Sequence, residues 1–381
     1  MKLNRNQQAF FELLKIGLWE NGIDNVIHNL NGEIDWNDLY QLAQEQSVQG
    51  IVLQGLECSL EKGAVSKDFI SQKLLLQWIG DVQMIEQQNL AMNKFIADLS
   101  KQLKIGKIEA LLVKGQGVAQ CYKCPQWRTA GDVDLLLDKE KYNKASDFLS
   151  TLASSEDDEV KDRLHKAYRI GQWEVELHGS LRGSILKKLD KGIDNIQKET
   201  FREKKYRIWE NGDEAVILPA VDEDILYVFS HILQHFFDEG VGLRQICDWC
   251  RLLWKYKEKV DVPLLSYRLK EMGIMSEWKA FAALAIKYLG MPLEAMPLCS
   301  LSNCWSRKAD RIMDFVLESG NFGHNRDYSY YEKYPYLVYK TISLWKHTSD
   351  VIRYFQIFPM DSMRVWSWMI TTGVKVTMRG K

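Results

Sequence analysis

Two aspartates separated by one residue, Asp132 and Asp134, give the clearest chemical signal in the chain. They follow Gly131 and lead into three consecutive leucines, a pattern that predicts a buried β-strand. Because side chains on a strand alternate between its two faces, both carboxylates lie on one face, whereas Val133 and Leu135 turn into a core. Two adjacent carboxylates suit a hard divalent cation, which takes oxygen ligands, beside a phosphate group.

A second group of residues upstream suits the phosphate itself. The apolar segment Ile108–Val113 predicts a strand that runs into Lys114, Gly115 and Gly117, and glycine allows the backbone to approach a phosphate closely. Lys114 supplies a point charge, and Arg128 can bind a phosphate in a bidentate manner. Other interpretations remain open, because Arg128 could form an internal ion pair with a core carboxylate and the glycines could serve turn geometry alone.

A third carboxylate lies downstream, on the alternating segment Trp173–His178. The alternation predicts a strand with Glu174, Glu176 and His178 on one face. Either glutamate could join the aspartates as a metal ligand. His178 could contact a substrate or phosphate, or it could act as a structural hydrogen-bonding group.

Taken together, these motifs resemble those of a known family. The chain is similar to the uncharacterised nucleotidyltransferase family of the DNA polymerase beta superfamily in Leu112-Val113-Lys114-Gly115, Tyr122, Pro125, Arg128, Gly131–Leu136 and Glu176-Leu177-His178. The last of these matches the third acidic motif of the family, which selects Glu176 over Glu174. Helical segments at Asp35–Val48 and His231–Asp248 fit as well, so the resemblance covers most of residues 30–256. In one departure from the wider superfamily, no serine follows Gly115, and Lys114 could take the place of that contact.

The resemblance implies an α+β fold with a polymerase-beta-like nucleotidyltransferase core, a small mixed sheet with helices, flanked by helical regions on both sides. The boundaries we predict are 1–104 for the N-terminal helical region, 105–218 for the core and 219–381 for the C-terminal helical domain.

The resemblance also implies an activity. A nucleoside monophosphate would move from an NTP to a hydroxyl or phosphate acceptor on a sugar, a small metabolite or a protein, and pyrophosphate would leave. Asp132, Asp134 and Glu176 would be catalytic and would hold Mg²⁺, in a two-ion site. The nucleotide would contact Lys114, Gly115, Gly117, Arg128 and His178.

Two other classes of function remain open. The chain could be a non-catalytic nucleotide-binding or interaction protein, although such a module has no need of three carboxylates. It could also be a toxin-like nucleotidyltransferase that acts on a protein or on tRNA. The formal net charge is -1, so no global positive field attracts a long nucleic acid.

Composition sets further bounds. A chain of 381 residues with 46% hydrophobic residues can bury a large core. No charge-free apolar run reaches the length of a membrane span, and the N-terminus lacks the apolar centre of a signal peptide. We therefore expect a cytoplasmic protein with no transmembrane segment, whose seven cysteines are reduced thiols.

Two Cys-x-x-Cys pairs, Cys121/Cys124 and Cys247/Cys250, could in principle bind zinc. Each pair lies on or near a predicted helix, where residues three apart are simply neighbours on one face. We therefore interpret these cysteines as small packing residues.

Helical spacing also places two polar pairs in the later part of the chain. His231 and His235 are one turn apart and could bind a metal ion, but apolar neighbours favour a packed or hydrogen-bonded pair. Arg244 and Asp248 are four residues apart and favour an intrahelical ion pair, although Arg244 or His235 could hold the acceptor across a cleft.

The elements that must position these residues follow from local patterns. Asp35 is a predicted N-cap, Gly171 is the predicted turn of a hairpin, and a further strand or turn is predicted around Asn211–Asp213. A long helix is predicted from about Asp68 to Leu103, with an inward face formed by Leu75, Ile79, Met84, Ile85, Leu90, Phe95 and Leu99.

Overall fold

Alternating apolar residues in the middle of the chain form a five-stranded mixed sheet. The computed structural model describes residues 2–19, 34–63, 65, 70–161, 163–183, 186–238, 240–321 and 336–378. The strands are β1 (Ala110–Val113), β2 (Val133–Leu137), β3 (Ser155–Glu156), β4 (His165–Ile170) and β5 (Trp173–His178). Their order in the sheet is β1-β2-β5-β4-β3, and only β2 and β5 among these strands run parallel.

The two faces of the sheet pack against different cores. Val133 and Leu135 are buried in a cluster with residues of β5, as the alternation predicts. Leu136, which shares the opposite face with Asp134, belongs to the larger cluster formed by the helices. The aspartates therefore face the helical side of the molecule.

The predicted hairpin at Gly171 is confirmed, and the strand or turn predicted around Gly212 is a second hairpin. Gly171 adopts a φ of +60° between β4 and β5, a left-handed conformation that glycine accepts without steric cost. Gly212, with a φ of +62°, turns between β6 (Tyr206–Asn211) and β7 (Glu214–Pro219), a separate two-stranded sheet that contacts β1.

The N-terminal helices are α1 (Arg5–Leu18), α2 (Trp36–Glu45), α3 (Gln49–Glu61) and α4 (Gln72–Ile105). Asp35 caps α2 as predicted, because its side chain accepts from the backbone N–H groups of Asn37 and Asp38.

The predicted inward face of α4 is wrong in part. Met84 and Leu90 are exposed, whereas Trp78, Val82 and Asn89 are buried. A helix of 34 residues contacts α3, a loop and β7 in turn, so a single apolar stripe does not describe its buried face. The predicted start near Asp68 lies outside the described residues.

The remaining helices build the other side of the molecule. They are α5 (Gly115–Ala119), α6 (Tyr142–Leu152), α7 (Lys187–Glu203), α8 (Val221–Phe237), α9 (Leu243–Lys255), α10 (Val262–Met272), α11 (Met275–Leu289), α12 (Asn303–Ser319), α13 (Tyr336–Phe355) and α14 (Pro359–Met378). One hydrophobic cluster includes residues of α1, α3, α8, α9, α11 and α14. Among the described helices, none has the length and apolar character needed to cross a membrane.

Candidate active site

The parallel pairing of β2 with β5 brings the predicted carboxylates together. Asp134 lies opposite Glu176 in the register of the two strands, and Asp132 precedes β2. One carboxylate oxygen from each of Asp132, Asp134 and Glu176 lies within 4.8 Å of the others. Glu174, in contrast, is an exposed residue whose carboxylate pairs with Arg169 at 3.2 Å.

Three carboxylates this close repel one another. The charge of Asp134, together with burial, raises the pKa of Asp132 to about 6. Burial also acts to raise the pKa of Asp134, but the neighbouring Lys114 and His178 lower it below its usual value. The charge of Asp134 is therefore balanced by neighbouring cationic groups, whereas Asp132 lacks a comparable counter-charge.

Lys114 provides the local positive charge. Its Nζ lies 2.7 Å from Asp134 Oδ1, and its backbone has a φ of +56°, which is strained for a residue with a side chain. Gly115 follows with a φ of +37°, and a Cβ at this glycine would lie 3.4 Å from the Asp132 carbonyl oxygen. The turn after β1 thus bends sharply over the carboxylates, where a side chain at Gly115 would be strained. Gly117 lies two residues further along α5, and a Cβ there would lie 3.0 Å from Leu218 Cδ2, so its small size serves packing on β7.

Arg128 forms the internal ion pair that the sequence left open. Its Nε and one terminal nitrogen each donate to Asp248 at 2.7 Å, and the Tyr122 hydroxyl donates to the same carboxylate at 2.8 Å. Arg244 donates to the carbonyl oxygen of Thr129 at 3.1 Å. The two arginines of this region therefore join the loop before β2 to α9.

His178 connects two of the carboxylates. Its Nε2 lies 2.8 Å from Asp134 Oδ1 and 3.3 Å from Glu176 Oε2. Although burial opposes protonation, hydrogen bonds to these carboxylates raise the pKa of His178 above its usual value.

His165 is a residue that the sequence reasoning missed. It pairs with His178 across β4 and β5, its Nε2 lies 3.2 Å from Glu176 Oε2, and the two imidazole rings stack with centroids 4.8 Å apart. The predicted hairpin contained the signal, because a turn at Gly171 places His165 directly opposite His178.

His231 and His235 on α8 close the cleft from the opposite side. Their rings meet edge to face with centroids 4.3 Å apart. Burial and the charge of Lys114 lower the pKa of both rings, that of His235 to about 4, so both are neutral at pH 7. Within the described residues, the groups able to hold a metal ion are the three carboxylates and the set His165, Glu176 and His178. Neither the α8 histidines nor the Cys-x-x-Cys pairs belong to them.

These side chains line two adjoining cavities that share Lys114, Glu176, His231 and His235. The first, here called the carboxylate lobe, has a volume of about 270 Å³ and is also lined by Gly115, Asp132, Asp134, Arg128, Arg244 and Gln245. The second, the arginine lobe, has a volume of about 230 Å³ and is also lined by Arg163, His165, His178, Arg182, Ser230 and Gln234. Arg163 and Arg182 were not predicted, because they lie in loops flanking the hairpin and belong to no motif.

Comparison with known proteins places the chain in a family. Neither the curated proteins nor the solved structures gave a match. A family model described as "Uncharacterised nucleotidyltransferase" matches residues 32–290, more than half of the chain, and this range includes both lobes of the cleft. The chain therefore belongs to the uncharacterised nucleotidyltransferase family.

Proposed function

We propose that this protein is a Mg²⁺-dependent nucleotidyltransferase with a polymerase-beta-like core. The observation that carries the proposal is the convergence of Asp132, Asp134 and Glu176, whose oxygens lie within 4.8 Å of one another where β2 and β5 run parallel. Beside them lies the sharp turn at Lys114 and Gly115, where backbone and ammonium groups can meet phosphates. Family membership supports the same chemistry.

The donor set fits a divalent ion. Asp132, Asp134 and Glu176 would hold Mg²⁺ through oxygen ligands, which this ion prefers. The raised pKa of Asp132 reports an excess of negative charge that a cation would relieve. When bound, Mg²⁺ would neutralise the phosphates of the nucleotide and favour ionisation of the acceptor hydroxyl.

We place the NTP in the carboxylate lobe and the acceptor in the arginine lobe, so that the shared residue Glu176 lies between them. The acceptor oxygen attacks the α-phosphorus and forms the new P–O bond. The bond from that phosphorus to the bridging oxygen breaks, and pyrophosphate leaves with the electron pair. Glu176 would hold the metal ion beside the acceptor hydroxyl, and the proton of that hydroxyl passes to solvent water, because neighbouring His165 and His178 lower the pKa of Glu176 despite its burial. A lobe of about 230 Å³ favours a small acceptor or a single side chain of a protein.

The phosphate contacts divide into two kinds. Lys114 and Gly115 border the carboxylate lobe and would contact the phosphates directly. Because Asp248 already holds Arg128, this residue would act by positioning the loop before β2 and by its charge. His178 would orient Asp134 and Glu176.

Calorimetry with each of the four NTPs, with and without Mg²⁺, tests the proposal. We expect binding that requires Mg²⁺, that is lost in Asp132→Asn and Glu176→Gln, and that persists in Glu174→Gln. The last variant is the matched control, because it makes the same change two residues away on an exposed side chain. Tight binding that ignores both Mg²⁺ and the substitutions would instead indicate a non-catalytic nucleotide-binding protein. No binding of any NTP would contradict the proposal.

A further inference from the structure

A second potential metal site adjoins the carboxylate cluster on the side of the arginine lobe. The antiparallel register of β4 and β5 places His165 directly opposite His178. Glu176 precedes His178 by two residues, so its side chain projects from the same face of the sheet. All three side chains line the arginine lobe.

The donor atoms of these residues converge. Both histidine Nε2 atoms approach the same oxygen, Glu176 Oε2, at 3.2 Å for His165 and 3.3 Å for His178. The two rings stack, and one nitrogen of each ring and one oxygen of Glu176 lie within 4.8 Å of one another. Two imidazoles and one carboxylate, with the remaining side open to a cavity, form the ligand set of many catalytic transition-metal sites.

We propose that His165, Glu176 and His178 bind a divalent transition-metal ion of the Zn²⁺ class, distinct from the Mg²⁺ held by the carboxylates. Imidazole nitrogen is a good ligand for Zn²⁺ and related ions, whereas Mg²⁺ keeps to oxygen and to several water molecules. Glu176 would then be a ligand of both metal ions, the Mg²⁺ held by carboxylates and the transition-metal ion held by the histidines. A role of this ion in activating the acceptor hydroxyl rests on the proposed function, whereas the binding of the ion does not.

The alternative is that both imidazoles only hold the carboxylates in place, with His178 hydrogen-bonded to Asp134 at 2.8 Å and His165 paired with Glu176 at 3.2 Å. This arrangement uses the same distances but differs in one respect that can be measured. A hydrogen-bonding pair gives no nitrogen ligation of an added metal ion, and it gives no preference for a transition metal over Mg²⁺.

Titration of the metal-free full-length protein with Co²⁺ in the presence of excess Mg²⁺ tests the proposal, since Co²⁺ reports its ligands by visible absorption. We expect one Co²⁺ per chain with the spectrum of a nitrogen-ligated ion, displaced by Zn²⁺ but not by Mg²⁺. Removing a residue that only hydrogen-bonds to a metal ligand lowers metal affinity by about 10- to 100-fold. Because His165 would be a ligand itself, His165→Ala should weaken Co²⁺ binding by at least that factor. His165 is partly exposed, and removing its ring should leave the fold intact.

Two control variants keep the test independent of folding and of nucleotide binding. Glu174→Gln, on the exposed end of the same strand, and His231→Ala, which removes another histidine of the cleft, should both retain Co²⁺ binding. Unchanged Co²⁺ binding in His165→Ala, or complete displacement by Mg²⁺, would overturn the proposal. Absence of NTP binding in the wild-type protein, with normal Co²⁺ binding, would contradict only the nucleotidyltransferase, so the two proposals fail separately.

Discussion

The carboxylate cluster holds acidic side chains close together, and their mutual repulsion lowers the stability of the folded protein. In the metal-free protein, the repulsion between Asp132 and Asp134 is relieved mainly by Lys114. Since the pKa of Asp132 is raised to about 6, its stabilising contribution is complete below its ordinary pKa and is lost as the pH rises through 6.

We therefore expect Asp132→Asn to stabilise the metal-free protein at pH 7.5 by about 1 to 3 kcal/mol, because a neutral side chain of the same shape removes the repulsion. Urea unfolding in the presence of a chelator measures this change. The same substitution should abolish the stabilisation that Mg²⁺ gives the wild-type protein. Glu174→Gln is the control, and a less stable Asp132→Asn would show that the carboxylates do not repel in this way.

At the scale of residues, the sequence predicts those site residues whose position depends on a few neighbours in the chain. The alternation around Asp132, Asp134 and Glu176 was sufficient to place three carboxylates together once the strands were paired. The partner of Arg128 is Asp248, which lies 120 residues away on α9, and no local pattern predicts a contact between residues so far apart in the sequence. Arg163 and Arg182 reach the cleft through loops, whose course depends on the tertiary fold.

At the scale of elements, α1 and α3 approach each other through glycines. A Cβ at Gly55 would lie 1.9 Å from the Leu13 carbonyl oxygen, and one at Gly17 would lie 1.9 Å from that of Ile51. No real Cβ occupies such a position, so the two backbones must separate if either glycine is replaced.

We expect Gly55→Ala to destabilise the protein by at least about 3 kcal/mol, because overpacking here meets backbone and not a movable side chain. Gly80→Ala is the matched control, since a Cβ at this position of α4 meets nothing within 4 Å. It should stabilise the protein by up to about 1 kcal/mol through helix propensity. Thermal unfolding of both variants measures the difference, and similar melting temperatures would contradict this packing.

Elements were predictable where their determinants are local. The cap at Asp35 and the turns at Gly171 and Gly212 depend on adjacent residues, and all three are confirmed. The inward face of α4 depends on which other element of the fold each helical turn packs against. Asn89 illustrates the difficulty, because this buried polar residue donates to the carbonyl oxygens of Gln126 and Arg128 and accepts from Gln116.

At the scale of the whole molecule, contacts between distant parts of the chain connect the helical regions. Trp19 at the end of α1 donates to the Leu289 carbonyl oxygen at 2.6 Å, and Arg251 donates to those of Cys121 and Leu18. Near the C-terminus, α11 and α14 each contribute a buried acidic residue, Glu277 and Asp361, and the two carboxyl groups interact. Burial and this neighbour raise the pKa of Glu277 well above its usual value.

This pair predicts a pH-dependent stability. Because the pKa of Glu277 is raised in the folded protein, its contribution is complete below about pH 4.5 and is lost as the pH rises through the folded-state pKa. The free energy of unfolding should therefore fall between pH 5 and pH 9 by more in the wild-type protein than in Glu277→Gln, whose amide imitates the protonated acid. Urea titrations across this range measure the fall. The exposed Glu271→Gln is the control, and equal slopes in wild type and Glu277→Gln would disprove the assignment.

Under the proposed function, the wall that the two lobes share would link the binding of the nucleotide and of the acceptor thermodynamically. Lys114, Glu176, His231 and His235 touch both cavities, so a molecule in one lobe changes the surroundings of the other. Linkage is reciprocal: any acceptor that strengthens nucleotide binding must have its own affinity raised by the same factor. With an unreactive nucleotide analogue bound in the proposed nucleotide lobe, such an acceptor would therefore bind more tightly, and titration of candidate acceptors with and without the analogue would measure that factor.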